Sequence, residues 1–215
     1  MPYRETKFLA NSVYHIFTKS IAGYKIFVSE DDFERMIQTL EFYSVENPVY
    51  KFSDFLEIKK KEKVLADIPQ KKIIKIIAYC IMPTHIHLVL APLKDDILSS
   101  YMNIVLKSYS KYFNVKYNRK GPLWEGRFKS VLVKTDEQLI HLTRYIHLNP
   151  VSAYLVDFPQ DWKFSSYREY IEESYQGICN FSDYIKIHNS WYVDFVNDRI
   201  SYQRELEKIK NLILE

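Results

Sequence analysis

The pattern of apolar and polar positions divides the first third of the chain into a strand, a helix and an irregular segment. Residues 12–19 (SVYHIFTK) combine β-branched and aromatic side chains, a composition that predicts a strand. Residues 29–32 (SEDD) supply an N-cap and an acidic first turn, and apolar residues recur at helical spacing from residue 33 to residue 40. Residues 47–72 are irregular and rich in lysine, and we interpret them as a partly helical excursion.

The middle of the chain predicts a hairpin followed by a long helix. Residues 72–82 (KIIKIIAYCIM) form a strongly apolar strand, residues 83–84 (PT) signal a turn, and residues 85–91 (HIHLVLA) form the returning strand. Residues 96–118 have apolar positions at roughly helical spacing, and residues 118–122 (NRKGP) end that helix. We therefore expect two adjacent antiparallel strands that lead into a helix.

The last third predicts one more strand and several helices. Residues 127–134 (RFKSVLVK) alternate as a strand does. A helix begins at residues 135–137 (TDE), and we expect residues 149–150 (NP) to stop it, because proline is unfavourable inside a helix. Residues 162–173 predict a short helical segment, and the tail is expected to be helical over residues 202–214.

The order of these elements is strand, helix, strand, strand, helix, strand, helix. Hairpins with interposed helices favour an α+β sandwich, in which helices pack on an antiparallel sheet. The length of 215 residues suggests one domain with an appendage. We divide the chain into a domain over residues 1–175 and a small helical C-terminal extension over residues 176–215.

Composition excludes several classes of function. The four glycines form neither a GxxxxGK nor a GxGxxG loop, which argues against a mechanism driven by ATP or a dinucleotide. Cys80 and Cys179 form no CxxC pair and no zinc spacing, a usage typical of a reducing compartment. Neither a signal region nor an apolar run of membrane length is present, so we expect a cytoplasmic protein without membrane segments.

His85 and His87 are the first candidates for chemistry. Because alternate side chains of a strand point to the same face, the two imidazoles would stand about 6–7 Å apart at their bases, a separation that allows both to bind one metal ion. The alternative is that both are polar residues on the solvent face of a half-buried strand. Metal binding also needs a third ligand and an exchangeable position.

Tyr145 and Asn149 are the second pair of candidates. They lie four residues apart near the end of a predicted helix and therefore share a face, together with His141 one turn earlier. Tyrosine can act as a nucleophile, and the asparagine carbonyl is a neutral oxygen ligand that could complete a metal site. The chain has 18 tyrosines, so a structural role for Tyr145 is the alternative.

Basic charge is concentrated in one segment, although the whole chain has a net charge of only +3. Residues 101–134 contain eight Lys or Arg residues and one acid, interspersed with aromatic residues. Basic side chains follow a phosphate backbone, and exposed rings stack on unpaired bases. The candidate nucleic-acid contacts in this segment are Lys107, Lys111, Arg119, Lys120, Trp124, Arg127 and Lys129. A solvated helix face with core aromatics is the alternative.

These features occur in one order with flanking residues that resemble a known family. The matching segments are 82–87 (MPTHIH), 121–128 (GPLWEGRF), 144–150 (RYIHLNP) and 162–167 (WKFSSY). The chain is similar to the REP-associated tyrosine transposases and to the related single-tyrosine HUH transposases of bacterial insertion sequences. The resemblance covers roughly residues 12–170. Many relatives carry an Arg-Gly pair where this chain has Lys19-Ser20.

The resemblance implies a ferredoxin-like fold and a role for each candidate. His85 and His87 match the metal ligands, Asn149 matches an amide that helps to bind the metal, and Tyr145 matches the nucleophile. The implied cofactor is Mg²⁺ or Mn²⁺, and the implied substrate is single-stranded or hairpin DNA. An ordinary phenol has a pKa of about 10, so Tyr145 needs an activating environment to attack at neutral pH.

Two other functions remain open at this stage. A host-recruited relative would bind hairpin DNA without cutting it, and an unrelated metal-dependent hydrolase would use the histidines with a water nucleophile. The sequence does not specify the DNA hairpin, the cleavage site, or a monomer as opposed to a homodimer. Nor does it distinguish a mobile element from a host function, or assign a role to residues 47–72 and 176–215.

Overall fold

A four-stranded antiparallel sheet forms the centre of the computed structural model, which describes residues 7–48, 51–60 and 71–214. The strands are β1 (Val13–Lys19), β2 (Ile74–Met82), β3 (His85–Pro92) and β4 (Lys129–Val133). Their order across the sheet is β2-β3-β1-β4. The two inner strands, β3 and β1, are separated along the chain by β2 and a helical crossover, as in the ferredoxin-like arrangement that the resemblance implies.

Helices cover both faces of this sheet. They are α1 (Glu30–Tyr43), α2 (Phe52–Lys60), α3 (Ile97–Lys116), α4 (Asp136–Ser152), α5 (Tyr167–Ile171), α6 (Asn189–Asn197) and α7 (Ile200–Leu214). The predicted α+β fold, an antiparallel sheet with packed helices, is confirmed. No helix in the described part of the chain is both long and apolar enough to cross a membrane.

The alternation of side chains along β3 divides the core into two layers. Leu88 and Leu90 pack into the layer that contains residues of α1 and α3. Val89 and Ala91 point the other way, into the layer that contains residues of α4, α5 and α6. The odd-numbered positions of β3 therefore face α4, and this parity decides which helix meets the histidine pair.

The start of α1 is fastened to the end of α3 through Asp32, whose side chain is fully buried. Its carboxylate accepts hydrogen bonds from the backbone N–H groups of Val28 and Ser29, and from the hydroxyl of Tyr117 at 2.7 Å. Lys116 donates to the same carboxylate at 2.8 Å. Burial alone would raise the pKa of Asp32, but these donors outweigh it and hold the pKa well below its ordinary value.

The expected stop of α4 at Asn149-Pro150 is wrong, because the helix continues to Ser152. Proline has no N–H and so cannot donate to the carbonyl four residues earlier, that of Ile146. The side-chain amide of Asn149 donates to this carbonyl at 3.4 Å, and to that of Tyr145 at 3.0 Å. A side chain thus supplies a donor where the backbone lacks one, and the helix passes through the proline.

The other predicted elements agree with the structure to within a few residues at their ends, apart from two segments. The expected helical segment over residues 162–173 contains only the short helix α5. In the irregular segment, residues 52–60 form α2, whereas residues 49–50 and 61–70 lie outside the described residues. In the tail, α7 begins two residues before the expected helix, and α6 precedes it.

Candidate active site

The histidine pair lies on the face of the sheet that α4 covers. His85 and His87 have ring centroids 5.1 Å apart, with the ring planes nearly perpendicular. His87 is buried, at 8% exposure, and His85 is half-buried. The strand spacing therefore brings both imidazoles together on one face as predicted, and Ile86 between them points into the opposite core layer.

One ring nitrogen of each histidine is already engaged in a hydrogen bond. The Nδ1 of His85 lies 3.0 Å from the hydroxyl of Thr84, and the Nδ1 of His87 lies 3.1 Å from the Nε2 of His15. Each ring therefore presents its Nε2 as the nitrogen left for a ligand. Histidines that bind metals in proteins are commonly held through their second nitrogen in this way.

His15 was not among the candidates from the sequence. It lies on β1, which pairs antiparallel with β3, and it stands diagonally across from His87. The only signal in the sequence was a histidine in a predicted strand, and that signal does not say which strand lies next to it. Pairing between distant segments brings the third imidazole to the site.

Tyr145 approaches the histidines from α4. Its ring lies 5.7 Å from that of His87 and 6.4 Å from that of His15, measured between centroids and edge-on in both cases. At 36% exposure, part of the ring remains open to solvent. The predicted nucleophile and the predicted metal ligands are therefore neighbours within a single chain.

Asn149 lies one helical turn after Tyr145 and is half-buried. Its amide nitrogen donates to helix carbonyls, as described above. This arrangement fixes the orientation of the amide and leaves the carbonyl oxygen as the atom that could reach a ligand. The sequence did not predict that the Asn149 side chain would both donate to the helix backbone and present an oxygen to a ligand.

Burial sets the protonation state of the three imidazoles. Burial lowers the pKa of His15 to about 4 and that of His85 below its ordinary value. For His87 burial acts first, and His85 and His15 add to it, so that its pKa lies well below the ordinary range. All three rings are neutral near pH 7, and a neutral imidazole is the form that offers a lone pair to a metal.

A cavity of about 530 Å³ opens beside the histidine pair. It is lined by His85 and His87 on one side and by Arg127 and Lys129 on the other. Arg127 and Lys129 are exposed, and Lys129 lies opposite Phe17 in the pairing of β1 with β4. Two of the predicted basic contacts therefore share a cavity with the predicted metal ligands.

The other predicted nucleic-acid contacts lie elsewhere. Lys107 and Lys111 are exposed on α3, which packs on the opposite face of the sheet. Arg119 donates to the carbonyl oxygens of Gly121 and Pro122 and so braces the turn after α3, where Lys120 is also exposed.

Trp124 is half-buried and packs against the core. Its indole N–H donates to the carbonyl of Leu106 at 3.3 Å. Its ring also contacts those of Phe27 and Tyr109. These contacts show a structural role for most of the indole. Of the predicted nucleic-acid contacts, Arg127 and Lys129 are the two that line the cavity beside the histidine pair, where Lys19 also lies.

The side chains at this site can hold a divalent ion only if the amide of Asn149 and a ligand from outside the protein bind the ion together with the two histidines. Within residues 7–48, 51–60 and 71–214, no three His, Cys, Asp or Glu side chains are grouped so as to hold a metal. His85 and His87 contribute two nitrogens, and Asn149 has an oriented amide oxygen. A site with two or three protein ligands keeps positions open for substrate, as catalytic metal sites require.

Known proteins resemble this chain in sequence and in fold. Residues 52–149 match the model of a family described as IS200-like transposases. A Haemophilus influenzae protein, named as a REP-associated tyrosine transposase, is 33% identical over 102 residues, which are 42% of this chain and 57% of that protein. The chain thus matches little more than half the length of this curated relative.

A solved structure of a REP-associated tyrosine transposase bound to a REP hairpin is also similar. Its comparison with this chain gives a TM-score of 0.54 and 18% sequence identity. The matched region covers 87% of this chain and 99% of the chain in the solved structure. At this identity the match shows the fold alone. The family model and the curated relative confirm the resemblance to REP-associated and IS200-like transposases that the sequence motifs predict, and the solved structure confirms the fold.

Proposed function

We propose that this chain, like the transposases it resembles, is a nuclease and strand transferase that cuts and rejoins single-stranded DNA through Tyr145. The observation that carries this proposal is the position of Tyr145. Its partly exposed ring lies 5.7 Å from the ring of His87, at the end of β3 that also borders the cavity with Arg127 and Lys129. A candidate nucleophile, two candidate metal ligands and two candidate phosphate-binding side chains therefore lie in one region, which supports the proposal.

The proposed reaction is a transesterification at a phosphodiester. The phenolic oxygen of Tyr145 loses its proton and forms a bond to phosphorus, while the bond from phosphorus to the 3′ oxygen breaks. The 3′ oxygen takes up a proton and leaves as a free 3′-OH, and the 5′ end stays attached to the tyrosine. The adduct conserves the energy of the phosphodiester, so rejoining requires no nucleotide cofactor.

His85, His87 and Asn149 are the residues that would hold a divalent ion, Mg²⁺ or Mn²⁺. Such an ion supplies charge that polarises a non-bridging phosphate oxygen. The engaged Nδ1 atoms and the low pKa values of both histidines support this role, because they favour neutral rings with a free Nε2. The helix carbonyls that hold the amide nitrogen of Asn149 in turn direct its oxygen away from the helix.

The proposed substrate is a single strand that carries a hairpin. Arg127 and Lys129 would neutralise backbone phosphates in the cavity, where a single strand could reach the histidine pair. The solved structure of similar fold is bound to a REP hairpin, which supports the same class of substrate for this chain. Because the rings of Tyr145 and His87 lie close together within one chain, we further propose that a monomer is sufficient for cleavage. We propose the cytoplasm of a bacterium as the place of the reaction.

The test is the formation of a covalent protein–DNA adduct. Purified protein is incubated with Mn²⁺ and a set of labelled hairpin-bearing single strands, and adducts that survive SDS are measured. We expect adducts with the wild type and a loss of at least about 100-fold in Tyr145→Phe, because phenylalanine keeps the ring and removes the nucleophilic oxygen.

Tyr154→Phe is the matched control, since it removes another exposed hydroxyl just beyond the end of α4 and should form adducts as the wild type does. Cleavage without an adduct, unchanged in Tyr145→Phe, would identify a hydrolase with a water nucleophile. Tight hairpin binding with no cleavage in any metal would identify a DNA-binding protein. Either result would exclude the proposed reaction.

A further inference from the structure

His15 is the one imidazole of this region to which neither the motifs nor the proposed reaction assigns a role. It lies on β1, and its Nε2 is 3.1 Å from the Nδ1 of His87. The two rings are inclined by only 20°, with their centroids 5.3 Å apart, so they meet side by side, nitrogen to nitrogen. The ring of Tyr145 touches the same pair edge-on.

This contact couples the tautomers of the two rings, because one of the two nitrogens must donate and the other must accept. A neutral imidazole has one N–H and one lone pair, and a metal must bind the lone pair. If His87 binds through Nε2, its proton lies on Nδ1 and needs an acceptor, because the ring is buried. The Nε2 of His15 is that acceptor, and the proton of His15 then lies on its own Nδ1.

His85 shows the same pattern with a different partner. Its Nδ1 is held by the hydroxyl of Thr84, which can accept the proton. Both histidines on β3 therefore have the nitrogen nearer the backbone engaged and the far nitrogen free. The contact with His15 therefore adds a directional constraint on the ring of His87 to the packing around it.

We propose that His15 is a positioning residue that fixes His87 in the Nδ1–H tautomer, with its Nε2 directed at the candidate metal site. The inference rests on the proposed function, because a metal bound through Nε2 is what places the proton of His87 on Nδ1. A histidine suits the position because it stands diagonal to His87 across the strand pair, where Phe17 is the direct partner of His87. A shorter side chain would not reach across that diagonal.

The first test needs no metal and no DNA. In ¹⁵N-labelled, metal-free protein near pH 7, long-range NMR couplings between ring nitrogens and carbon-bound protons report the tautomer of each histidine. We expect the Nδ1–H form for His87 in the wild type. We expect a mixture, or the Nε2–H form, in His15→Phe, which keeps a ring but has no acceptor. His15→Gln supplies an amide oxygen in place of Nε2 and should restore the Nδ1–H form.

The second test measures the affinity for Mn²⁺ by titration calorimetry in the absence of DNA. Loss of a partner that orients a metal ligand typically weakens binding about 10–100-fold, and we expect a loss in this range for His15→Phe. His15→Gln should recover most of the loss. Val131→Ala, at the position opposite His15 on β4, alters packing beside the ring without removing a nitrogen and should bind as the wild type does.

The outcomes separate this inference from the proposed function. An Nε2–H tautomer of His87 in the wild type would overturn the role of His15, even if Tyr145 forms adducts. Unchanged Mn²⁺ affinity in His15→Phe, or an equal loss in His15→Gln and His15→Phe, would overturn it as well. The expected tautomers together with an absence of adducts would leave the positioning role intact and reject the proposed reaction.

Discussion

Asn149 links the stability of α4 to the chemistry proposed for that helix. Its amide nitrogen donates to the Ile146 carbonyl, which Pro150 cannot reach because it has no N–H. The same bond orients the amide oxygen that is the candidate third ligand. The sequence motif Asn-Pro is therefore a local device that keeps the helix continuous through the proline and presents an oxygen next to Tyr145.

We predict that Asn149→Asp lowers the free energy of unfolding by about 1 kcal/mol, because aspartate keeps an oxygen but has no N–H to donate. Pro150→Ala restores the backbone donor to the Ile146 carbonyl. The added stability from Pro150→Ala should therefore be greater in the Asn149→Asp background than in the wild type. Urea denaturation of the two single variants and the double variant measures this coupling.

If the two substitutions change the free energy of unfolding additively, the backbone N–H and the Asn149 amide do not replace each other as donors to the Ile146 carbonyl. The activity of Asn149→Asp separates the two roles further. If the oxygen is the functional atom, the variant should keep metal binding better than Asn149→Ala, despite the shared loss of the amide donor.

At the scale of elements, α4 is fixed to its neighbours through His147, whose side chain is fully buried. In the sequence, His147 lies between Tyr145 and Asn149. Its Nδ1 lies 2.7 Å from the hydroxyl of Tyr192 on α6, and its Nε2 lies 2.8 Å from that of Ser166 next to α5. The Tyr192 hydroxyl donates onward to Thr143 on α4. This buried network sets the rotation of α4 about its axis, and so the direction in which Tyr145 points.

We predict a pH dependence of stability from the same histidine. Burial lowers the pKa of His147 to about 3, whereas an unfolded histidine has a pKa of about 6.5. Because the folded pKa is the lower one, the stability that neutral His147 contributes is complete above pH 6.5. It is lost progressively as the pH falls towards 3, by up to about 1.4 kcal/mol per pH unit.

Unfolding free energies of the wild type and of His147→Gln at pH 7.5, 6.5 and 5.5 check this prediction. The stability advantage of the wild type should shrink as the pH falls, since only the wild type must protonate this site on unfolding. His188→Gln removes an exposed imidazole and is the matched control. A difference between wild type and His147→Gln that stays constant over this range would contradict the assignment.

At the scale of the whole molecule, the C-terminal helices contribute to the core of the layer that holds the site. Tyr192 and Val196 of α6 are fully buried and belong to the same cluster as Ile146 and Val151 of α4. By contrast, α7 is held in part by Arg204, which makes an ion pair of 3.0 Å with the exposed Asp157. The described side chains of α6 therefore contribute fully buried apolar surface to this layer.

We predict that a chain ending at residue 185 does not fold stably. It loses the burial of Tyr192 and Val196, each worth about 1.5–3 kcal/mol, and leaves the Nδ1 of His147 without its partner. That sum is comparable to the total stability of a typical domain. A chain ending at residue 200 should keep a cooperative transition with a smaller loss, because it retains α6.

Thermal unfolding followed by circular dichroism compares the two truncations with the full chain. An unchanged midpoint for the chain ending at residue 185 would show that the tail is an independent appendage. That result would favour the division at residues 175 and 176 that we expect from the sequence.

Much of the site could be predicted from local periodicity. The two-residue repeat of a strand places His85 and His87 on one face, and the spacing of four along a helix puts Tyr145 and Asn149 on one face. The start of α1 was predicted equally well, because a capping residue marks it. These features depend only on backbone geometry within a few residues, which the order of amino acids fixes directly.

The tertiary structure alone decided the remaining features of the site, because they depend on contacts between segments that are distant in sequence. His15 and His87 are 72 residues apart and meet only because β1 pairs with β3. Lys107 belongs to the same basic segment as Lys129, yet the sheet separates the two. The sequence by itself determined which residues can do chemistry and which neighbours share a face. The packing of the sheet and α4 determined which faces meet, since that choice follows from burying both apolar layers at once.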